Sequence, residues 1–249
     1  MGSSVLSPPV GCSGWRLGLY PAAGEVGGSF RHSWQPRRLR GGGGLADPER
    51  SQSEAARRAR AKLRRYCAAN RLNRLGTLTY RGDGCHDARQ VRGDVAGFFR
   101  GLRRSLDDQG FAYVWVPEWH KTGHGLHVHF AVGRYIGRGK IEQAWRRGFV
   151  HIKLLGDLPA GSGTLEESRL AARYLSKYVT KTFDDALPGL HRYELAQGFQ
   201  PQVLRCVGRS ADEALDAAAK LMRARPVRVW RSDDEAEWQG PPTVWASWR

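Results

Sequence analysis

Trp115–Val132 reads WVPEWHKTGHGLHVHFAV, and its reading decides the fold. Phe111–Glu118 is rich in aromatic and β-branched residues, as strands are. The polar, Gly-containing segment Trp119–Gly125 turns the chain back into a second strand, Leu126–Val132. Residues i and i+2 of a strand share a face, so His127 and His129 project from one side of a sheet, where a metal ion can bridge them. The hairpin brings Glu118, His120 or His124 toward that pair. Glu118 is the expected third ligand, because a carboxylate keeps the site hard enough for Mg²⁺ or Mn²⁺; His120 stands in reserve.

Further along, Arg169–Lys181 reads RLAARYLSKYVTK, with apolar residues at helical spacing. Tyr174 and Tyr178 are four residues apart and share one helix face, and Lys177 and Lys181 repeat the interval. An ammonium beside a phenol favours the phenolate and neutralises phosphate charge. Thr164 and Glu167 have the spacing of a capping box that opens this helix. A metal-ligand strand pair followed by a Tyr/Lys helix suits phosphodiester cleavage through a covalent tyrosine intermediate.

The elements outward from the hairpin complete a pattern. Ser51–Asn73 is helix-forming, with Ser53 a candidate N-cap and Leu63 and Tyr66 candidate core contacts. Leu75–Tyr80 reads as a strand. Val91–Leu106 reads as a helix with an apolar stripe through Val95, Phe98, Phe99, Leu102 and Leu106; Arg100, Arg103 and Arg104 mark its wet side. Lys140–Arg147 is expected to be a short helix and Phe149–Leu155 a strand, with His151 at the surface. The fold class is therefore α+β, a central antiparallel sheet with flanking helices. Residues 1–50, rich in Gly, Pro and Ser, are expected to be disordered. Residues 51–209 form the main domain, and 210–249 add a helix and a Trp-rich tail in which Trp238, Trp245 and Trp248 are candidates for stacking on unpaired bases or for docking on their own domain.

The order GTLTY (Gly76–Tyr80), HVH (His127–His129) and YLSKYVTK (Tyr174–Lys181) resembles the three motifs of the HUH-endonuclease replication initiators of rolling-circle plasmids and single-stranded DNA phages, in particular their two-tyrosine group. HRYELAQGFQP (His191–Pro201) is similar to the segment after the tyrosine helix in replication-associated proteins of the phage gene II type. The resemblance spans Leu75–Pro201. It implies the initiator fold, with the His pair on a central strand facing the tyrosine helix. It also implies a nuclease that nicks single-stranded DNA at a replication origin, leaving a 5′-phosphotyrosyl link and a free 3′-hydroxyl. In that reading His127, His129 and Glu118 hold Mg²⁺ or Mn²⁺, Tyr174 and Tyr178 are the nucleophiles, and Lys177 and Lys181 assist. Single-tyrosine initiators place the nucleophile three residues before a Lys, which favours Tyr174 as the first to attack. The same parts serve rolling-circle transposases, and a noncatalytic nucleic-acid-binding protein would share the charge.

Composition points the same way. Forty Lys and Arg against 24 Asp and Glu give a net charge of +16, suited to polyanions with steep salt dependence. Gly137-Arg138-Gly139-Lys140 lacks the first Gly and the Ser/Thr of a phosphate-binding loop, so no ATPase is expected, and a host helicase and DNA polymerase become the implied partners. Cys12, Cys67, Cys85 and Cys206 are far apart and show no zinc or disulfide pattern. With no segment apolar enough to span a bilayer, the expected location is the cytoplasm of a bacterial host.

Overall fold

The computed structural model describes residues 13–32, 48–154, 164–181 and 191–249. In chain order the strands and helices are β1 (Gly14–Tyr20), β2 (Glu25–Arg31), α1 (Pro48–Ala69), β3 (Arg74–Tyr80), α2 (Ala88–Arg104), β4 (Tyr113–Trp119) and β5 (Leu126–Val132). They continue with α3 (Arg138–Trp145), β6 (Gly148–Leu154), α4 (Thr164–Lys181), β7 (Glu194–Leu195), β8 (Leu204–Gly208), α5 (Ala211–Met222), β9 (Arg228–Arg231) and β10 (Thr243–Ser247). They belong to two compact units. Asp47–Gln200 is one, inserted in sequence into the other, which joins Met1–Ala46 to Pro201–Arg249.

The inserted unit is built on an antiparallel sheet of order β6-β3-β5-β4-β7. Alternation along its strands sends side chains to two cores. Val128, Phe130 and Val132 of β5 and Trp115 of β4 face α2 and α3, where they meet Val95, Phe98, Phe99, Ile141 and Trp145. Ala131, Val114 and Val116 face the other way, onto Leu63 and Tyr66 of α1 and Ala171, Leu175 and Val179 of α4. The expected α+β class is thus realised as helices on both faces of one antiparallel sheet. The order strand, helix, two hairpin strands, helix, strand, helix over Leu75–Lys181 is as expected. Asp87 caps α2 by accepting from the backbone N–H groups of Arg89 and Gln90. Helix α1 starts at Pro48, so Ser53 lies within it and is not its N-cap. The residues before Thr164 lie outside the described set, and the Glu167 carboxylate accepts from Asn73 Nδ2 at 2.6 Å.

Pro117 sits in β4, yet costs the sheet little. Among the described residues β7 pairs with Val114 and Trp115, and no strand pairs with that edge of β4 from Val116 onward, where a missing N–H is tolerated. That open edge also leaves Glu118 at the rim of the sheet.

The hairpin turn is held by His120 N–H donating to Gly125 O at 2.9 Å and Gly123 N–H donating to His120 O at 3.0 Å. Gly125 has φ +75°, and a Cβ there would lie 2.4 Å from the backbone oxygen of Cys85. Gly125→Ala is expected to destabilise the unit by about 3 kcal/mol, combining left-handed strain with a clash against backbone that cannot rotate away. A shift in the urea midpoint at constant slope is the measurement that checks it.

The other unit corrects three expectations. Residues 14–31 are not disordered: β1 and β2 form an antiparallel hairpin within a second sheet, β8-β1-β2-β10-β9. Leu17, Leu19 and Val26 are buried there beside Ala214, Leu215 and Ala218 of α5. Five glycines between Gly14 and Gly28 interrupt the apolar alternation and hid these strands. Residues 1–12 and 33–47 lie outside the described set. The boundary falls at Gln200/Pro201, not 209/210, because β8 pairs with β1. The C-terminal segment is structured rather than a tail. Trp248 is buried and donates to Ala224 O at 2.9 Å, Trp245 lies in β10, and Trp238 packs edge-on against Trp230, so these rings dock on their own unit.

Candidate active site

The site lies within the inserted unit, where α4 crosses the α1-side face of β4, β3 and β5. Register places Glu118 directly opposite His127, and Val116 opposite His129. His127 and His129 therefore project toward α4, one step apart on the central strand.

His129 is almost wholly buried and is held on three sides. Its Nε2 lies 2.8 Å from Glu118 Oε2, its Nδ1 lies 3.1 Å from Thr77 Oγ1, and its ring stacks on Tyr178 with centroids 3.8 Å apart and planes 12° from parallel. A hydroxyl can donate or accept, so Thr77 supports either tautomer of this ring. It accepts if Nδ1 carries the proton, the form that frees Nε2 as a metal ligand, and donates if Nε2 carries it. Thr77 belongs to the GTLTY stretch, but its part in orienting His129 comes from strand register and was not readable from the motif. Such second partners of a metal-ligating imidazole fix its direction and raise its basicity.

His127 is placed differently. Its ring stacks on His120 at 4.3 Å, with His124 at 6.3 Å, and its Nε2 is buried with no hydrogen-bond partner. His120 Nδ1 is engaged with Thr122 Oγ1 at 2.7 Å, and His124 Nε2 is 3.0 Å from Tyr80 O. Burial first, then the neighbouring imidazoles of His120, His129 and His124, push the His127 pKa down from 6.5 to about 4, with Glu118 opposing. The unfolded chain takes up a proton near pH 6.5 and the folded site does not until about pH 4. Stability is therefore expected to fall as pH drops through that window. His127→Gln is expected to flatten that part of a plot of urea midpoint against pH.

On α4, the Tyr178 hydroxyl donates to the Tyr174 hydroxyl at 2.7 Å, and the rings meet edge to face at 5.2 Å. Tyr174 lies 6.2 Å from the His129 ring, also edge to face. The two phenols and the Glu118–His129 pair are thus brought together. Lys177 is exposed on the helix, and the Lys181 side chain lies outside the described residues. The expectation that a cation eases ionisation of the phenol does not hold for Tyr178. Burial, the hydrogen bond to Tyr174 and the Glu118 charge all raise its pKa. A phenol this hard to ionise needs a neighbouring cation or a proton acceptor at the moment of attack.

The donor set suits a hard divalent ion: one carboxylate, two imidazoles, and an orphaned buried nitrogen among them. Among the described residues no three His, Cys, Asp or Glu side chains already converge on one point. Glu118 and His129 are bonded to each other, so holding an ion would exchange their hydrogen bond for bonds to it.

A sheet presenting paired imidazoles to a helix with paired phenols is the arrangement that the motif resemblance implies. Residues 73–183, from the start of β3 past the end of α4, match the family model described as Replication-associated protein ORF2/G2P. The match is to a replication-associated family and takes in β3 through α4, which carry both the imidazole pair and the phenol pair. No curated protein and no solved structure matches the chain. Among the described residues no helix is long and apolar enough to cross a membrane.

Proposed function

We propose that the chain initiates replication by nicking single-stranded DNA at an origin through tyrosine transesterification. The observation that carries this reading is the pair of phenolic oxygens 2.7 Å apart, beside His129 and Glu118 on the facing strands. Glu118, His127 and His129 are the residues that would hold Mg²⁺ or Mn²⁺. The ion would supply Lewis-acid polarisation of a phosphate oxygen. The chain supplies the rest. One tyrosine oxygen attacks phosphorus, forming the Tyr–O–P bond as the P–O3′ bond breaks. The phenol gives up its proton and the departing 3′ oxygen gains one, leaving a 3′-hydroxyl for a host polymerase to extend. The second phenol, within hydrogen-bond reach of the first, is positioned to repeat the step on the regenerated junction. The released 3′-hydroxyl then attacks the first phosphotyrosine, forming P–O3′ as Tyr–O–P breaks, so that the first phenol regains its proton and the displaced strand is resealed. Lys177, exposed on the same helix, and Lys181 neutralise phosphate charge. With no ATPase motif, unwinding falls to a host helicase in the bacterial cytoplasm.

The test is a pool of end-labelled single-stranded oligonucleotides incubated with the protein and Mn²⁺ or Mg²⁺, then run under denaturing conditions. A labelled band retarded by the mass of the protein and lost with chelator is the expected result. Salt-sensitive binding with no adduct would establish the noncatalytic alternative instead.

A further inference from the structure

The site face of the sheet does not stop at the helix that covers it. Thr77 pairs with His129 on one side and with His151 of β6 on the other, so the three side chains lie in one cross-strand row on one face. Two residues along, Thr79 pairs with Phe149, and by the same register this second row runs on at the level of His127 and its partner Glu118. Between them on β6, Val150 points the other way and is buried against the α2 and α3 core. Phe149 therefore stands on the site face, and it is 72% exposed. His151 is exposed beside it, and Thr77 and Thr79 are half-exposed. β6 is also the sheet's edge strand.

A flat partner laid on the Phe149 ring would remove that apolar surface from water. Its flank is basic. Arg146 is exposed just before β6, and Arg81 is exposed just after β3, its guanidinium donating to the Arg146 carbonyl. Two strand spacings, about 10 Å, separate β6 from β5. We infer that Phe149 is a stacking platform for a base of single-stranded DNA flanking the scissile phosphate, with Arg81 and Arg146 on the adjoining backbone. The inference rests on the nuclease reading for its substrate, and deepens it by tracing the strand from the tyrosines across the sheet to β6. Charge complementarity commits the occupant to a polyanion, and the exposed ring beside it commits that polyanion to unpaired bases.

The measurement is anisotropy binding of labelled oligothymidylate and of an abasic deoxyribose-phosphate oligomer of equal length, in chelator, as a function of salt. Phe149 is exposed, so its truncation leaves the core intact. Phe149→Ala is expected to weaken oligothymidylate binding about tenfold and leave abasic binding unchanged, with Phe149→Trp restoring the wild-type preference. The salt slope of Phe149→Ala stays at the wild-type value. Arg146→Asn, which suits the left-handed backbone at that position (φ 49°), is expected to lower the slope by about one for both ligands. Wild-type binding that does not distinguish the two ligands, or Phe149→Ala binding oligothymidylate as wild type does, overturns the platform. A wild-type protein that forms no tyrosine adduct with Mn²⁺ removes the nuclease reading and leaves this binding result standing.

Discussion

Changing Tyr174 and Tyr178 together to Phe is expected to reduce covalent protein–DNA adduct by at least about 10³-fold, because no other phenol sits beside the Glu118–His129 pair among the described residues. The single variants separate the roles. With Tyr174 as first nucleophile, Tyr174→Phe loses the initial nick, whereas Tyr178→Phe still nicks but fails to transfer the strand. Each phenylalanine keeps its ring, so the 3.8 Å stack on His129 survives in the Tyr178 variant. The hydroxyl–hydroxyl bond is lost, worth about 1 kcal/mol. Denaturation midpoints close to wild type alongside a vanished adduct would separate chemistry from folding. An undiminished adduct in the double variant would exclude both tyrosines as the attacking groups.

The second large effect concerns the opposite face of the same sheet. Phe98 has no exposed surface and meets Phe99, Phe130 and Trp145 edge to face, with centroids 4.9, 5.5 and 6.1 Å away. Phe98→Ala removes a ring around which others are arranged, and none of these neighbours can move without losing its own contacts. A loss of about 4 kcal/mol is expected, a large share of an ordinary domain's stability. Urea unfolding followed by tryptophan fluorescence would show it as a lowered midpoint. Phe130 rests against Gly76, where a Cβ would come within 2.2 Å of its ring. The first residue of GTLTY thus leaves room for the core side of the sheet, and its neighbour Thr77 serves the site side.

The inserted unit was the more legible part of the chain because its signals are local. Strand alternation in Leu126–Val132, the apolar stripe of α2 and the four-residue interval of Tyr174 and Tyr178 can each be read within one element. What could not be read depends on register between elements. That Thr77 reaches His129, that Phe149 and His151 share its face, and that Glu118 crosses diagonally to His129 while pairing with His127 are all set by strand offsets fixed by the whole sheet. The rise in the Tyr178 pKa was hidden for the same reason, since spacing placed Lys177 near it but not its burial against β5. In the outer unit, Gly14–Arg31 carried too many glycines for a clear period, and its strands become stable only beside β8 and β10 from the far end of the chain. Trp248 looked like tail because its partner carbonyl, on Ala224, lies beyond α5.

That discontinuity has a consequence during synthesis. β1 and β2 are made before the inserted unit, yet β1 completes its ladder only with β8, after 183 intervening residues, and β2 only with β10, after 211. The inserted unit is finished while the hairpin still has both edges open to other strands. A chain truncated after Gln200 should therefore hold a protease-resistant β3–β5 core beside a still-cleavable β1–β2 segment. Pairing with β8 and β10, rather than formation of the β1–β2 hairpin, then becomes the event that completes their sheet.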